Sequence, residues 1–303
     1  MKRLTRVTGV IAITGLVLTL GACGKKKSSV TTNGTAGSIT IGSADFPESQ
    51  LLAEIYAGAL SAKGVSVTKK LNIGERAAYI AALKDGSIDF VPEYNGSILY
   101  YLDTKATAKS PADVDAALHT AALANNFTTL NSAAAQDSDT ITVTKFTRDK
   151  YNLTSIADLA PVAGELTLGA PAGFKTRADG VPALKSVYSV VFQKFTPTSA
   201  GGAITVTALK NGSIQAADIF STDPAIAANG FVSLTDPKSM FAAQNIVPLL
   251  STSKQTATIS AAANAVSAKL DTATLAGLVA KVQNDKQDAA VVAKDWLTSV
   301  GLS

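Results

Sequence analysis

The sequence predicts an α/β protein of two similar lobes, and three observations carry that expectation. Short β-branched or apolar runs alternate with amphipathic helical stretches, which is the grammar of a parallel sheet. An octapeptide recurs, with ALKDGSID at 82–89 returning as ALKNGSIQ at 208–215. The composition, 47% apolar and 17% charged over 303 residues, is that of a packed globular body.

In chain order, Ser38–Gly42 (SITIG) predicts a strand and SADFPES at 43–49 a polar turn. Gln50–Lys63 carries Leu51, Leu52, Ile55, Ala59 and Leu60 on one face, an amphipathic helix that Gly64 ends. Val65–Leu71 alternates as a strand, and Gly74–Leu83 predicts a helix. Gly86 breaks that helix, and Ser87–Pro92 predicts a strand. An exposed polar turn, Glu93-Tyr94-Asn95-Gly96-Ser97, then opens the next helix. Ser110-Pro111 starts another, with Ser as the cap and Pro at the first position.

Thr140–Thr144 predicts a β-branched strand, and Thr147–Leu159 a helix, a turn and a short segment. Leu166–Gly169 predicts a strand followed by the loop APAGFKTRADG at 170–180. A helix follows over Val181–Val191. Ile204–Leu209 leads into the second octapeptide, and Ala216–Phe220 predicts a strand running into STDP. Gly230–Leu234 and Ile246–Leu250 predict strands. Helices at Ala263–Ala268, Thr272–Asp285 and Gln287–Ser299 complete the chain and are expected to return to the first lobe.

The first 23 residues read as an address. MKRLTR is positively charged, VTGVIAITGLVLTL is apolar but shorter than the roughly 20 residues a membrane span needs, and LGAC at Leu20–Cys23 follows. Leu-Gly-Ala-Cys resembles the bacterial lipobox, which makes Cys23 the expected site of lipidation. The protein is then expected on the extracytoplasmic face of a bacterial membrane, held by a lipid anchor. Residues 24–37 (GKKKSSVTTNGTAG) predict a flexible linker. As the only cysteine, Cys23 leaves no disulfide within the chain.

Several function classes lack parts. The net charge is +4, and discounting Lys2, Arg3 and Arg6 of the leader leaves +1, with no basic stripe for nucleic acid. His119, the only histidine, falls on an alanine-rich helical stretch far from any nucleophile, so it reads as a solvated helix residue rather than a catalyst. No HExxH, GxxxxGK[ST] or GxGxxG is present, and no cofactor is expected. Asp85 with Asp89, and Asp137 with Asp139, are calcium-type residues without the spaced twelve-residue loop, so no metal site is assigned. What remains is a set of polar turns after strands: Ser43-Ala44-Asp45, residues 93–97, Lys175-Thr176-Arg177 and Ser221-Thr222-Asp223. Such turns, converging from two lobes, make a binding cleft without chemistry.

Seven segments in order then carry a resemblance: IGSADFPES (41–49), LNIGERAAYIAALKDGSIDFVPEYNGS (71–97), DKYNLTSIADL (149–159), FKTRADG (174–180), ALKNGSI (208–214), FSTD (220–223) and DPKSMFAAQNIVPLL (236–250). Over residues 39–300 the chain resembles the substrate-binding proteins of osmoprotectant ABC importers, which take up glycine betaine, choline, carnitine and related quaternary amines. The resemblance implies a type II periplasmic-binding-protein fold: two lobes of mixed sheets flanked by helices, joined by two crossovers. Lobe 1 is expected at 38–140 plus 246–303 and lobe 2 at 141–245. It also implies a monomer that closes on its ligand and presents it to a permease and its ATPase.

The family holds the quaternary ammonium in an aromatic box and any carboxylate with Arg, hydroxyl and backbone donors. By resemblance, Tyr94 is a cage tyrosine, Ser97 a hydroxyl for the carboxylate and Arg177 the carboxylate-binding arginine. The other cage positions differ: Phe220 keeps an aromatic face, while Asp139 and Gln244 are polar. Asp45, Asn95 and Thr222 are further candidates. Ala44 stands where many relatives have Lys. Two ligand readings therefore stay open, a betaine- or choline-type quaternary amine and a different small cation or zwitterion paired by Asp139. A sensory or structural lipoprotein without transport is the third reading.

Overall fold

A computed structural model describes residues 37–303. The leader, Cys23 and nearly all of the linker lie outside the described residues. The first half contains β1 (Ser38–Gly42), α1 (Pro47–Ala62), β2 (Ser66–Lys70), α2 (Arg76–Lys84) and β3 (Phe90–Tyr94). These are followed by α3 (Asn95–Leu102), α4 (Pro111–Leu123) and β4 (Phe127–Thr129). A second set comprises β5 (Asp139–Thr144), α5 (Lys145–Tyr151), β6 (Thr167–Ala170), α6 (Val181–Tyr188) and β7 (Lys194–Pro197). It ends with α7 (Gly202–Lys210), β8 (Ala216–Phe220), α8 (Pro224–Asn229) and β9 (Phe231–Ser233). The chain then returns through β10 (Ile246–Ser251) to α9 (Ala257–Ser267), α10 (Thr272–Gln283) and α11 (Ala289–Ser299).

Two five-stranded mixed sheets result, ordered β2-β1-β3-β10-β4 and β7-β6-β8-β5-β9. Position for position they have the same pairing. In each, one strand runs parallel to both of its neighbours, and the fourth, supplied by a crossover, is antiparallel to both of its own. The second sheet opens at Asp139. The two crossovers touch at an antiparallel bridge between Gln136 and Asn245.

The repeated octapeptide is one structural unit used twice. Asp85 and Asn211 end α2 and α7, and each side chain accepts a hydrogen bond from the backbone N–H two residues on, at 2.8 and 2.9 Å. Gly86 and Gly212 follow at φ 78° and 76°, a left-handed conformation that side-chain-bearing residues rarely adopt. Ile88 and Ile214 are then fully buried. Ile88 fills the space beside Gly42 and Ile214 the space beside Gly169, each leaving only about 2.5 Å for an added Cβ. Even the last residues match: Asp89 accepts from Thr40 N at 2.8 Å and Gln215 from Thr167 N at 2.9 Å.

The helical tail packs on the first sheet. α1 starts with Pro47 at its first position and is buried all round, because α9, α10 and α11 cover the face that the sheet does not. Leu51, Leu52, Ile55, Tyr56 and Leu60 are fully buried there, each contributing about 1.5–3 kcal/mol. At Gly58 a Cβ would meet Leu297 at 2.5 Å, which fixes the close approach of α11.

The stretch 93–97 corrects an expectation. β3 runs through Tyr94 and α3 begins at the next residue, so no exposed turn exists, and Glu93 and Asn95 are buried. A buried charge needs partners. Arg76 grips Glu93 with two N–H groups at 3.0 and 3.1 Å, and the Tyr79 hydroxyl donates at 2.8 Å. β4 and β7 form where no strand was expected. His119 is exposed on α4 with its ring near Thr129. Among the described residues no helix is long and apolar enough to cross a membrane.

Candidate binding cleft

A cleft of about 780 Å³ lies between the two sheets. The turn after β1 forms one wall. Ser49 Oγ accepts from Ala44 N at 2.9 Å and Ser43 Oγ from Asn72 N at 2.9 Å. That closure puts Phe46 and Glu48 at the start of α1, both facing the cleft. Tyr94 and Ser97, at the junction of β3 and α3, stand beside them. The opposite wall comes from the ends of β8 and α8, with Phe220, Thr222 and Asp223, and from the first turns of α7. The end of α10 closes one side with Val279 and Gln283.

Three rings and two carboxylates give the cleft its character. Phe46 and Tyr94 stack with centroids 6.2 Å apart at 26°, and Phe46 and Phe220 are more than a third exposed. The Tyr94 hydroxyl donates to Glu48 Oε1 at 2.7 Å. Thr222 Oγ donates to Asp137 Oδ1 at 2.7 Å, with its own backbone N–H at 3.4 Å from the same oxygen. Burial pushes the Glu48 carboxyl up to about 8, and the charge of Asp137 adds to the shift. Asp137 is pushed up to about 6, again first by burial. Tyr94 is held well above its ordinary range by burial and the neighbouring carboxylates. Among the described residues no lysine, arginine or histidine lines the cleft.

Four of the expected site residues therefore meet here: Tyr94, Ser97, Phe220 and Thr222. The others lie elsewhere. Arg177 points its guanidinium at Asp139, with Nη2 2.5 Å from Oδ2, and lies against the Phe174 ring at 4.7 Å. Asp139 lines a separate depression beside the crossovers, with Gln136 and Ser138. Gln244 accepts from Ser97 N at 3.0 Å, tying the second crossover to α3. Asn95 is fully buried beside the second crossover: its Oδ1 accepts from Asn245 N at 2.8 Å and its Nδ2 donates to Asp115 at 2.7 Å. Asp45 is exposed outside the lining.

Phe46, Glu48 and Asp137 were not expected in the site. Glu48 follows a proline at a helix start, where an acid is ordinary capping chemistry. Asp137 lies two residues from Asp139, the acid that the sequence register placed in the cage. Among the described residues no cluster of three or more His, Cys, Asp or Glu is placed to hold a metal ion.

Matched α/β lobes, two touching crossovers and a lined cleft between them define a two-lobed solute-binding receptor. The family model for the substrate binding domain of ABC-type glycine betaine transport systems matches residues 37–299, and the chain belongs to that family. It is 28% identical to the glycine betaine-binding protein YehZ of Escherichia coli over 88% of this chain and 92% of that one. It is 26% identical to the carnitine transport binding protein OpuCC of Listeria monocytogenes, over 86% and 85% of the two chains. Among solved structures it superposes on a glycine betaine/carnitine/choline ABC transporter protein with a TM-score of 0.81, at 24% identity, covering 87% of this chain and 99% of that one. For apo YehZ the TM-score is 0.76 at 28% identity, covering 88% and 99%.

Proposed function

We propose that the cleft takes up one small organic ammonium solute, of the class its relatives are named for, and delivers it to an ABC permease as the lobes close. The observation that supports this reading is the lining itself. Aromatic faces at Phe46, Tyr94 and Phe220 offer cation–π attraction of about 0.5–2 kcal/mol each, and Glu48 with Asp137 supplies negative charge. Ser97 and Thr222 supply hydroxyl groups. The hinge is the pair of crossovers clasped by Asn95 and Gln244. The chain works as a monomer, tethered through a lipid on Cys23 at the extracytoplasmic face. Replacing Cys23 by Ala is expected to release it from membranes in a fractionation assay.

Thermal shift against glycine betaine, choline and carnitine tests the receptor reading. A solute at about 100 times its dissociation constant stabilises by roughly 2.7 kcal/mol, which raises the melting temperature on the order of 5 °C. An unmoved transition across such amines, with amino acids or sugars shifting it instead, sinks the ammonium assignment.

A further inference from the structure

We propose that this cleft selects an ammonium that carries at least one N–H and no carboxylate, rather than a fully methylated zwitterion. This rests on the receptor reading above and narrows its ligand. Glu48 is 4% exposed, lines the cleft, and accepts one hydrogen bond, at Oε1. Apart from the Thr222 hydroxyl, which lies within reach of both carboxyls, no donor among the described residues bonds its Oε2 or the Oδ2 of Asp137. The Thr222 hydroxyl has a single proton, and it goes to Asp137 Oδ1.

With both groups ionised, two carboxylate oxygens of the lining therefore lack protein donors. Closure of the lobes removes their water, and an unpaired buried acceptor is costly. A quaternary ammonium has only C–H groups to offer, so it cancels charge and leaves both oxygens unpaired. A protonated primary, secondary or tertiary amine brings one to three N–H donors and pairs them directly.

The other end of the ligand is constrained by what the cleft lacks. Arg177 is spent on Asp139, and no cationic side chain among the described residues lines the cavity. A third carboxylate, Asp223, also lines it, with one oxygen capping α8 at Ala225 N, 2.8 Å away. A ligand carboxylate would enter a field of three acids with no counter-charge. The remaining walls are mostly alanine, valine and proline, from Ala200 to Ala228, with the neutral side chains of Asn229, Gln283 and Asn284 at one side, and suit an alkyl or hydroxyalkyl body.

Isothermal titration of the mature protein with two matched series separates these properties. One series is ethanolamine, N-methylethanolamine, N,N-dimethylethanolamine and choline; the other is glycine, sarcosine, N,N-dimethylglycine and glycine betaine. At each methylation level the alcohol is expected to bind at least tenfold tighter than the acid. The N–H members of the alcohol series are expected to bind several-fold tighter than choline. Asp137→Asn should erase that margin over choline, with circular dichroism confirming the fold. Glycine betaine binding tighter than choline and N,N-dimethylethanolamine overturns the inference and leaves the receptor reading intact. Silence across all eight compounds overturns both.

Discussion

Arg177 Nη2 lies 2.5 Å from Oδ2 of Asp139, and this ion pair occupies the side chain that the family pattern assigns to a ligand carboxylate. The pair sits over a third group, Asp218, which is fully buried in β8. With all carboxylates charged, Asp139 Oδ1 and both Asp218 oxygens are acceptors with no donor. A proton on Asp218 resolves the conflict by making it a donor to Asp139. Burial, and then the charge of Asp139, push its carboxyl up to about 8 and so favour that proton.

Arg177→Ala is therefore expected to act on stability before it acts on binding. It strands Asp139 beside Asp218, and because the guanidinium is 38% exposed and partly screened, the loss should be about 1–2 kcal/mol. Urea denaturation reads that loss, and affinity for the best-binding amine should stay within about threefold. A tenfold drop in affinity at unchanged stability would place Arg177 in the ligand's service after all.

Asp218→Asn should stabilise the protein in alkaline solution. The folded-state value is raised from 3.8 to about 8, so the native protein holds a proton that the unfolded chain gives up. Stability is therefore full below about pH 4 and declines as pH rises to about 8. The amide keeps a donor for Asp139 and does not titrate. Denaturation at pH 8 should show the variant more stable by about 1–3 kcal/mol, with the gap closing toward pH 4. A gap independent of pH would contradict the assignment.

What the sequence revealed and what it hid follow from the range of the interactions. The octapeptide was legible because its whole logic is local: a side chain capping two residues on, a glycine with positive φ, then a buried Ile. The two-lobed order was legible for the same reason. Glu93 was misread because its partners, Arg76 and Tyr79, come from another element, and a charged residue followed by Tyr-Asn-Gly has the local pattern of a turn. β7, with Pro197 at its end, and the three-residue β4 are held by neighbouring strands, not by their own pattern. In the cleft, Tyr94 and Phe220 were legible only through the resemblance, at the positions of cage aromatics. Glu48 and Asp137 were not, since their significance lies in facing one another across fold elements.

Asn95 ties α3 to the second crossover, and its loss should be expensive. Its Oδ1 accepts from Asn245 N and Gly96 N, both at 2.8 Å, and its Nδ2 reaches Asp115. Asn95→Ala leaves buried backbone donors of the second crossover and of α3 unpaired, at about 2–4 kcal/mol. Differential scanning calorimetry should show a markedly lowered transition. Gly96→Ala should be comparably damaging, because its Cβ would meet the Ala243 carbonyl oxygen at 2.3 Å. A wild-type transition in either variant would remove this tie from the account.

The carboxylate pair in the cleft makes opposite predictions for the empty and the loaded protein. Glu48 faces Asp137 and Tyr94, Asp137 also feels Asp139 and Asp223, and Tyr94 feels Glu93. With the folded value of Glu48 raised from 4.5 to about 8, the stability of the empty protein is full below about pH 4.5 and falls until about pH 8. Glu48→Gln keeps an acceptor for the Tyr94 hydroxyl and removes the titration. It should flatten that decline, recovering on the order of 2–4 kcal/mol at pH 8. A cationic ligand inverts the preference, because it binds the ionised pair. Affinity of the wild type for N,N-dimethylethanolamine should rise between pH 6 and 8, with a proton released on binding, and Glu48→Gln should lose most of that slope. Titration calorimetry in buffers of different ionisation enthalpy counts the proton directly. Zero proton release at pH 7, or affinity that falls as pH rises, would mean that the pair does not meet the ligand's charge.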